Sequence, residues 1–299
     1  MSIALQSALE VLPRLRSKHF RVLRSVLRNL RRFRYVPIYV ISKSVGMKSY
    51  HVRRLSEFLI GLGLLRARKR EYEGYALTTR GLDVLALRAL GKSVDIERIA
   101  HRYDVGKEAD IHICYSSHGE PYIIKVYRLG RTSFKKVRSV RPGYDASVGG
   151  WVFMNINASR KEYEILQRLW NAGVSVPRPL AKAYHIIVME YVPGKELHKA
   201  KISNPEEVFK TVVAEIFKSF YNAGVVHADL SEYNVLLDEA SGKVWLIDWP
   251  QWLEITHEEA EEYMKRDLEN IVRFFCKKYR ISETRLWEIM SNVREVYLR

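Results

Sequence analysis

The chain has little cysteine. Cys114 and Cys276 are the two among 299 residues, one in a strand-like and one in a helix-like apolar setting. Two such residues make neither a disulfide framework nor a zinc-ligand cluster, so a reducing cytoplasm is the expected compartment. Long apolar runs are missing too. Nothing approaches the ~18 consecutive apolar residues that a membrane span needs, and the opening MSIALQSALEVLPRLRSKHF carries no signal-peptide type of apolar stretch. A soluble protein without a membrane partner is expected. Acidic residues are scarce at one end only: residues 1–92 hold 20 Lys and Arg against 5 Asp and Glu, a net of +15 out of a total of +16. With 47% apolar residues the rest of the composition is that of a globular chain, long enough for two domains with full cores.

The most informative stretch is HADLSEYN (227–234) with the following LIDWPQ (246–251). NVLLD (234–238) and VWLID (244–248) are apolar and β-branched runs joined by EASGK, whose Ser-Gly signals a turn. A hairpin centred on Ser241 sets Asn234 opposite Asp248, where each offers an oxygen to one Mg²⁺. Asp229, in a short polar loop five residues before Asn234, is placed to accept a proton from an attacking hydroxyl or to orient it.

Such chemistry also needs a cation on the phosphates and a turn over them. PYIIKVYRL (121–129) reads as a buried strand carrying Lys125, and a lysine inside an apolar run requires a partner charge. Before it, DVGKEADIHIC (104–114) is a turn entering a strand, where Gly106 lets the backbone approach an anion. A helix over 157–173 offers Glu162 as the ion-pair partner of Lys125, with Tyr163, Leu166, Leu169 and Trp170 as its apolar stripe. Glycine turn, strand lysine, helix glutamate, polar loop and metal aspartate follow one another in the order of a protein kinase domain.

The strings GKEAD, IKVYRLGRTSF, IVMEYVPG, HADLSEYN and IDWPQ resemble the RIO family of atypical protein kinases, and RLGRTSF with the preceding domain points to its second subfamily. The resemblance runs over essentially the whole chain. It implies an ATP- and Mg²⁺-dependent (or Mn²⁺-dependent) serine/threonine kinase or ATPase that assists maturation of the small ribosomal subunit, with the subunit precursor and its rRNA as partners. By the same resemblance Asp229 is the catalytic aspartate, Asn234 and Asp248 are metal ligands, and Lys125 contacts phosphate. Gly106, Lys107, Glu108 and Ala109 fall in the phosphate loop, and Asp248 is the position that takes up phosphate as an acyl phosphate. Three positions depart from the family pattern: Asp104 and Ala109 stand where a glycine and a serine are usual, and Ala228 replaces a glycine. The added methyl at 228 is expected to exclude an easy positive φ.

The basic N-terminal region reads as a winged helix. SYHVRRLSEFLIGLG (49–63) is a helix with Ser49 as N-cap, burying Val52, Leu55, Leu59 and Ile60 and leaving Arg53 and Arg54 outward. LLRARKREYEGYALT (64–78) alternates like a hairpin wing, with Arg66, Arg68 and Arg70 spaced by two, before a helix from Thr78 or Thr79. A helix and a basic wing suit phosphate backbones, and a domain of +15 steers polyanions. Residues 131–155 read as a long basic loop near the nucleotide. HIIVMEYVPGKEL (185–197) is a buried strand running into an interlobe hinge, where the backbone of Glu190 and Val192 would meet an adenine edge and Met189 would line the pocket.

The expected fold is therefore α+β: a winged helix over 1–92, then a two-lobed kinase-like domain over 93–299, divided near 190. It lacks an extended activation segment and a peptide-binding lobe, because a helix over 258–279 follows soon after IDWPQ. Two other readings use the same residues: a small-molecule phosphotransferase of the aminoglycoside or choline kinase kind, and a non-catalytic RNA-binding assembly factor. Oligomeric state is not encoded in any motif.

Overall fold

The computed structural model describes residues 4–105, 108–129 and 150–298, with the side chains of all but 101–105 and 298. Gly106, Lys107 and most of the basic loop, from Gly130 to Gly149, lie outside the described residues. Two compact units divide the chain: Met1–Arg160 with Leu180–Met189, and Lys161–Pro179 with Glu190–Arg299. The basic region and the lysine-bearing sheet thus belong to one unit.

The first unit opens with α1 (Ala4–Val11) and α2 (Ser17–Asn29), separated by a short 3-10 turn that begins Leu12–Pro13. Next come β1 (Val36–Pro37), α3 (Ile38–Val45), α4 (Ser49–Gly61), β2 (Leu65–Arg68), β3 (Gly74–Leu77) and α5 (Thr79–Leu90). The three strands form one antiparallel sheet in the order β1-β3-β2, which with α2 to α5 is a winged helix whose wing tip is 69–73. In α4, Val52, Leu55 and Leu59 are buried and Ile60 only partly so. Its N-cap is Lys48, not Ser49. Ser49 Oγ instead lies 3.1 Å from Ser42 Oγ, joining α4 to α3. Thr78 caps α5, its hydroxyl accepting from Gly81 N at 3.0 Å. Gly81 has no room for a side chain, since a Cβ would stand 2.2 Å from Leu64 O.

The sheet of β4 (Arg98–Val105), β5 (Ala109–Tyr115), β6 (Pro121–Tyr127), β7 (Pro179–Ala183) and β8 (Ile186–Glu190) runs in the order β4-β5-β6-β8-β7. Its apolar face and the winged helix share one hydrophobic cluster, from Leu5 and Val22 through Leu85 to Ile124 and Val188. This continuity explains why the two do not separate: neither covers its own apolar surface alone. Helix α6 (Gly150–Asn171) begins seven residues before the expected 157, so Trp151–Asn155 are helical, and its residues from Lys161 onward count with the second unit. Ile165, Leu166 and Leu169 are among its buried apolar positions, whereas Trp170, expected inside, is 42% exposed.

The second unit contains β9 (Lys195–Glu196), α7 (Pro205–Tyr221), β10 (Val225–Val226), β11 (Val235–Leu237), β12 (Val244–Leu246), β13 (Leu253–Glu254), α8 (Ala260–Tyr279) and α9 (Glu283–Leu298). Asn204 caps α7 by accepting from Glu207 N at 3.3 Å, with Pro205 in the first turn, as Asn-Pro dictates. Val208, Val212, Ile216 and Phe217 are its buried stripe. After β13 a short turn over 255–259 leads into α8, so only β13 and this turn separate the IDWPQ connection from the helix. Among the described residues no helix is long and apolar enough to cross a membrane.

Candidate functional site

The polar loop 227–234 is pinned at both ends. Before it, β10 pairs antiparallel with β13 (Val225↔Glu254, Val226↔Leu253); after it, β11 pairs with β12 (Val235↔Leu246, Leu237↔Val244). HADLSEYN and IDWPQ are therefore both short connections between the same two ladders, which forces them side by side.

The register is one residue from that expected. Asn234 is matched with Ile247, whose N–H donates to Asn234 O at 2.9 Å, and Asp248 lies one step beyond. The cause is the turn: Asp238 N donates to Lys243 O, the Asp238 carboxylate accepts from Ala240 N and Ser241 Oγ, and Gly242 takes φ 71°, so the loop centre falls before Ser241. Asp248 has φ 64°, a left-handed conformation that aspartate tolerates better than most residues and that turns it out of the strand line.

Asn234 Nδ2 donates to Asp229 O at 2.8 Å. A carbonyl can only accept, so the amide is fixed and its Oδ1 is the end left for a cation. Asp229 Oδ2 accepts from Gln251 Nε2 at 3.1 Å. Its carboxyl is raised above the ordinary aspartate value, first by burial and then by the neighbouring Asp248 carboxylate, against a smaller opposing pull from Arg266. A carboxylate whose protonation is raised by a neighbouring carboxylate is part of a donor set that favours a divalent cation. Among the described residues no group of three or more His, Cys, Asp or Glu side chains converges on a metal position. The set fits Mg²⁺, which takes one or two carboxylates and completes its octahedron with water and phosphate oxygens.

Ala228 adopts φ 65°, so the methyl does not exclude the left-handed conformation expected to be closed to it. The strain, of order 1 kcal/mol, is held by partners from α8. Asp267 accepts from Ala228 N at 2.8 Å and Leu230 N at 2.9 Å, Arg266 Nη2 donates to Ala228 O at 2.7 Å, and Asn270 Nδ2 donates to Leu230 O at 3.1 Å. Asp267 is 1% exposed, and burial pushes its carboxyl up to about 6 despite the two N–H donors. None of these α8 residues, nor Gln251, figures in the sequence reading. One signal was available: Asp267 sits on the apolar stripe of Met264, Leu268 and Ile271, where a carboxylate needs a reason to be. His227 packs its ring on Trp249 (centroids 4.4 Å apart), with Nε2 3.0 Å from Ile247 O, closing the base of the loop.

In the first unit, Lys125 is 7% exposed on β6, opposite Ile111 of β5, its Nζ 5.6 Å from the Tyr127 ring centroid. Glu108 O accepts from Arg128 N at 2.8 Å, and Ala109 is buried at the start of β5. Glu162, 2% exposed, lies on the part of α6 that belongs to the second unit. Met189, the residue before the end of β8, is 8% exposed. At the hinge the Glu190 N–H donates to Arg178 O at 2.9 Å, so the Glu190 backbone could meet an adenine edge only through its carbonyl. Among the described residues no backbone bond takes the N–H of Val192.

The five arginines expected to face nucleic acid are not equivalent. Arg53 grips Glu73 at the foot of the wing (Nη2–Oε2 2.6 Å, Nε–Oε1 3.0 Å), and Arg68 pairs with Glu71 at 2.9 Å. The Arg66 guanidinium is 5.8 Å from the Tyr35 ring centroid. Arg54 and Arg70 are exposed and make no hydrogen bond or ion pair among the described residues; Tyr39 is 66% exposed on α3, and Tyr50, 59% exposed on α4, lies against the His51 ring with centroids 3.9 Å apart.

Residues 110–286 match the model of the RIO domain, and residues 12–93 that of the Rio2 N-terminal domain. The serine/threonine-protein kinase RIO2 of Saccharomyces cerevisiae is 34% identical over 269 residues, 87% of this chain and 63% of that protein. The RIO-type serine/threonine-protein kinase Rio2 of Methanocaldococcus jannaschii is 34% identical over 85% of this chain and 94% of its own length. Among solved structures, the Rio2 kinase-ADP/Mg²⁺-phosphoaspartate complex of Chaetomium thermophilum superposes with a TM-score of 0.78 at 30% identity, covering 91% of this chain and 84% of that one.

Proposed function

The chain belongs to the RIO family of serine/threonine-protein kinases, in its Rio2 branch, and we propose that it is an ATP- and Mg²⁺-dependent kinase or ATPase that binds precursors of the small ribosomal subunit. The observation that carries the catalytic half is the pinned pair of connections in which the Asp248 charge helps raise the Asp229 carboxyl beside an oriented Asn234. Asn234 Oδ1 and the Asp248 carboxylate would hold the ion, Lys125 would meet the phosphates, and Val192 N–H and Met189 would receive the adenine. Bound Mg²⁺ supplies neutralisation of phosphate charge. Asp229, oriented by Gln251, accepts the proton of an attacking hydroxyl. Where Asp248 itself is the acceptor, the γ-phosphoryl passes to its carboxylate oxygen, ADP leaves, and water then releases phosphate. The phosphoaspartate of the Chaetomium thermophilum relative supports that route.

Residues 1–92 are the RNA-facing domain in this reading and 93–299 the kinase domain, and the shortness of the segment between IDWPQ and α8, which holds only β13 and a turn, favours a nucleotide-driven switch over a broad peptide kinase. The test is Mg²⁺-dependent ATP turnover and self-phosphorylation of the wild type, Asp229→Ala and Asp248→Ala, with and without small-subunit particles. Each substitution is expected to cost about 10²-fold or more in turnover. Turnover indifferent to both would defeat the catalytic reading, and robust phosphorylation of choline or an aminoglycoside would replace it with small-molecule transfer. For the RNA half, Arg54→Ala should weaken rRNA binding and lower the salt slope by about one, while Arg53→Ala, whose guanidinium is engaged by Glu73, should leave the slope unchanged.

A further inference from the structure

The motif RLGRTSF begins with an arginine that the proposed reaction does not use. Arg128 is 6% exposed and lies three residues past Lys125. Its Nη1 and Nη2 donate to the two carboxylate oxygens of Asp83 at 2.7 and 2.8 Å, and its Nε is 3.5 Å from Asp110 Oδ2. His185 Nε2 is 2.8 Å from the same Asp83 Oδ1. Asp83, Asp110 and His185 are each 1% exposed. Asp83 lies on α5, the last helix of the winged helix; Asp110 is in β5, Arg128 follows β6, and His185 precedes β8. A single buried guanidinium thus joins the basic domain to three places in the lysine-bearing sheet.

The backbone around it leads to the nucleotide-facing residues. Arg128 N donates to Glu108 O, where the phosphate turn rejoins the sheet, and Tyr127 N donates to His185 O at 3.0 Å. Asp110 is matched with Val126 in the register that sets Ile111 opposite Lys125. Beyond Arg128, Leu129 N donates to Asn155 Oδ1 at 2.7 Å, anchoring the strand end to α6. A buried ion pair adds little net stability over an apolar contact of the same shape, but a two-pronged guanidinium–carboxylate bond fixes orientation closely.

We propose that Asp83 and Arg128 are positioning residues through which the winged helix holds the strand of Lys125 and the Glu108–Ala109 start of β5 in the geometry that binds nucleotide. The inference rests on the nucleotide-binding reading of Lys125. It makes the N-terminal domain part of the nucleotide site as well as an RNA platform, and it gives RLGRTSF and the winged helix a physical reason to occur together.

The experiment uses the full chain, measuring ADP·Mg binding by calorimetry together with KM for ATP and kcat. Arg128→Lys keeps the charge but cannot span both oxygens of Asp83, and Asp83→Asn keeps the shape but loses the charge. Each, once shown folded by circular dichroism, should weaken ADP and raise KM for ATP about tenfold with kcat at saturating ATP within about twofold of wild type. Glu73→Gln, which breaks the exposed winged-helix pair with Arg53, should leave nucleotide affinity unchanged. Folded Arg128→Lys and Asp83→Asn chains that bind ADP like the wild type would overturn the proposal. If neither folds, hydrogen exchange on the unsubstituted chain decides: ADP·Mg should slow exchange of the α5 amides around Asp83, and unchanged exchange there would overturn it equally. A wild type that binds no nucleotide at all defeats the underlying reading instead.

Discussion

Two groups of aspartates in this chain have opposite electrostatic fates. Asp83, fully buried in the first unit, would be pushed up by desolvation, but Arg128 and His185 more than offset that and hold it below its ordinary value. Asp229, partly exposed in the second unit, is raised by burial and by Asp248, with only Arg266 pulling the other way. The first group is satisfied by the protein's own cation and serves geometry. In the second, like charges are held together by backbone ladders that have no stake in their repulsion, which is the arrangement expected where a cation arrives with a substrate.

The contrast can be broken most forcefully by deleting one member of each. Arg128→Ala leaves two carboxylates buried without their guanidinium and should cost about 3–5 kcal/mol in a denaturant titration. Asp248→Asn relieves repulsion, and asparagine accepts φ 64°, so its cost should stay under about 1 kcal/mol. Equal losses would show that both groups are mere scaffold.

The pH dependence should separate a paired carboxylate from a desolvated one. The folded value of Asp83 is depressed, so its contribution is present above the unfolded value and is lost as pH falls through the folded one. Asp267 is raised to about 6, so the folded state binds its proton more tightly, and that contribution fades as pH rises from the ordinary carboxylate range through 6. Carboxyl-carbon NMR should find Asp267 titrating near 6 and Asp83 below the usual range; coincident titrations would remove the distinction. The smallest effect is at the loop backbone: Ala228→Gly should stabilise by about 0.5–1 kcal/mol by relieving a left-handed alanine, measured by thermal unfolding. A loss instead would mean that the alanine methyl packs in a way its φ does not reveal.

Much of the site was legible because its parts are local. A hairpin between NVLLD and VWLID, a lysine inside PYIIKVY and an Asn-Pro helix start each follow from a few adjacent residues, and the structure contains all three. The register slip of one residue was not legible, since it depends on the Asp238 side chain and on Gly242 choosing a left-handed turn. The early start of α6 and the engaged state of Arg53 were likewise hidden, the latter because its partner Glu73 is 20 positions away.

The sequence alone determined which chemical groups exist, in what order, and with what charge imbalance, because periodicity, turn residues and composition act over short spans. Only the tertiary structure decided which of those groups are neutralised internally. Asp267, an acid on an apolar helix stripe, became the acceptor for two loop amides, and Arg128, one basic residue among 50, became the buried tie between domains. Those outcomes depend on the low dielectric and fixed distances that form when segments dozens of residues apart close on each other.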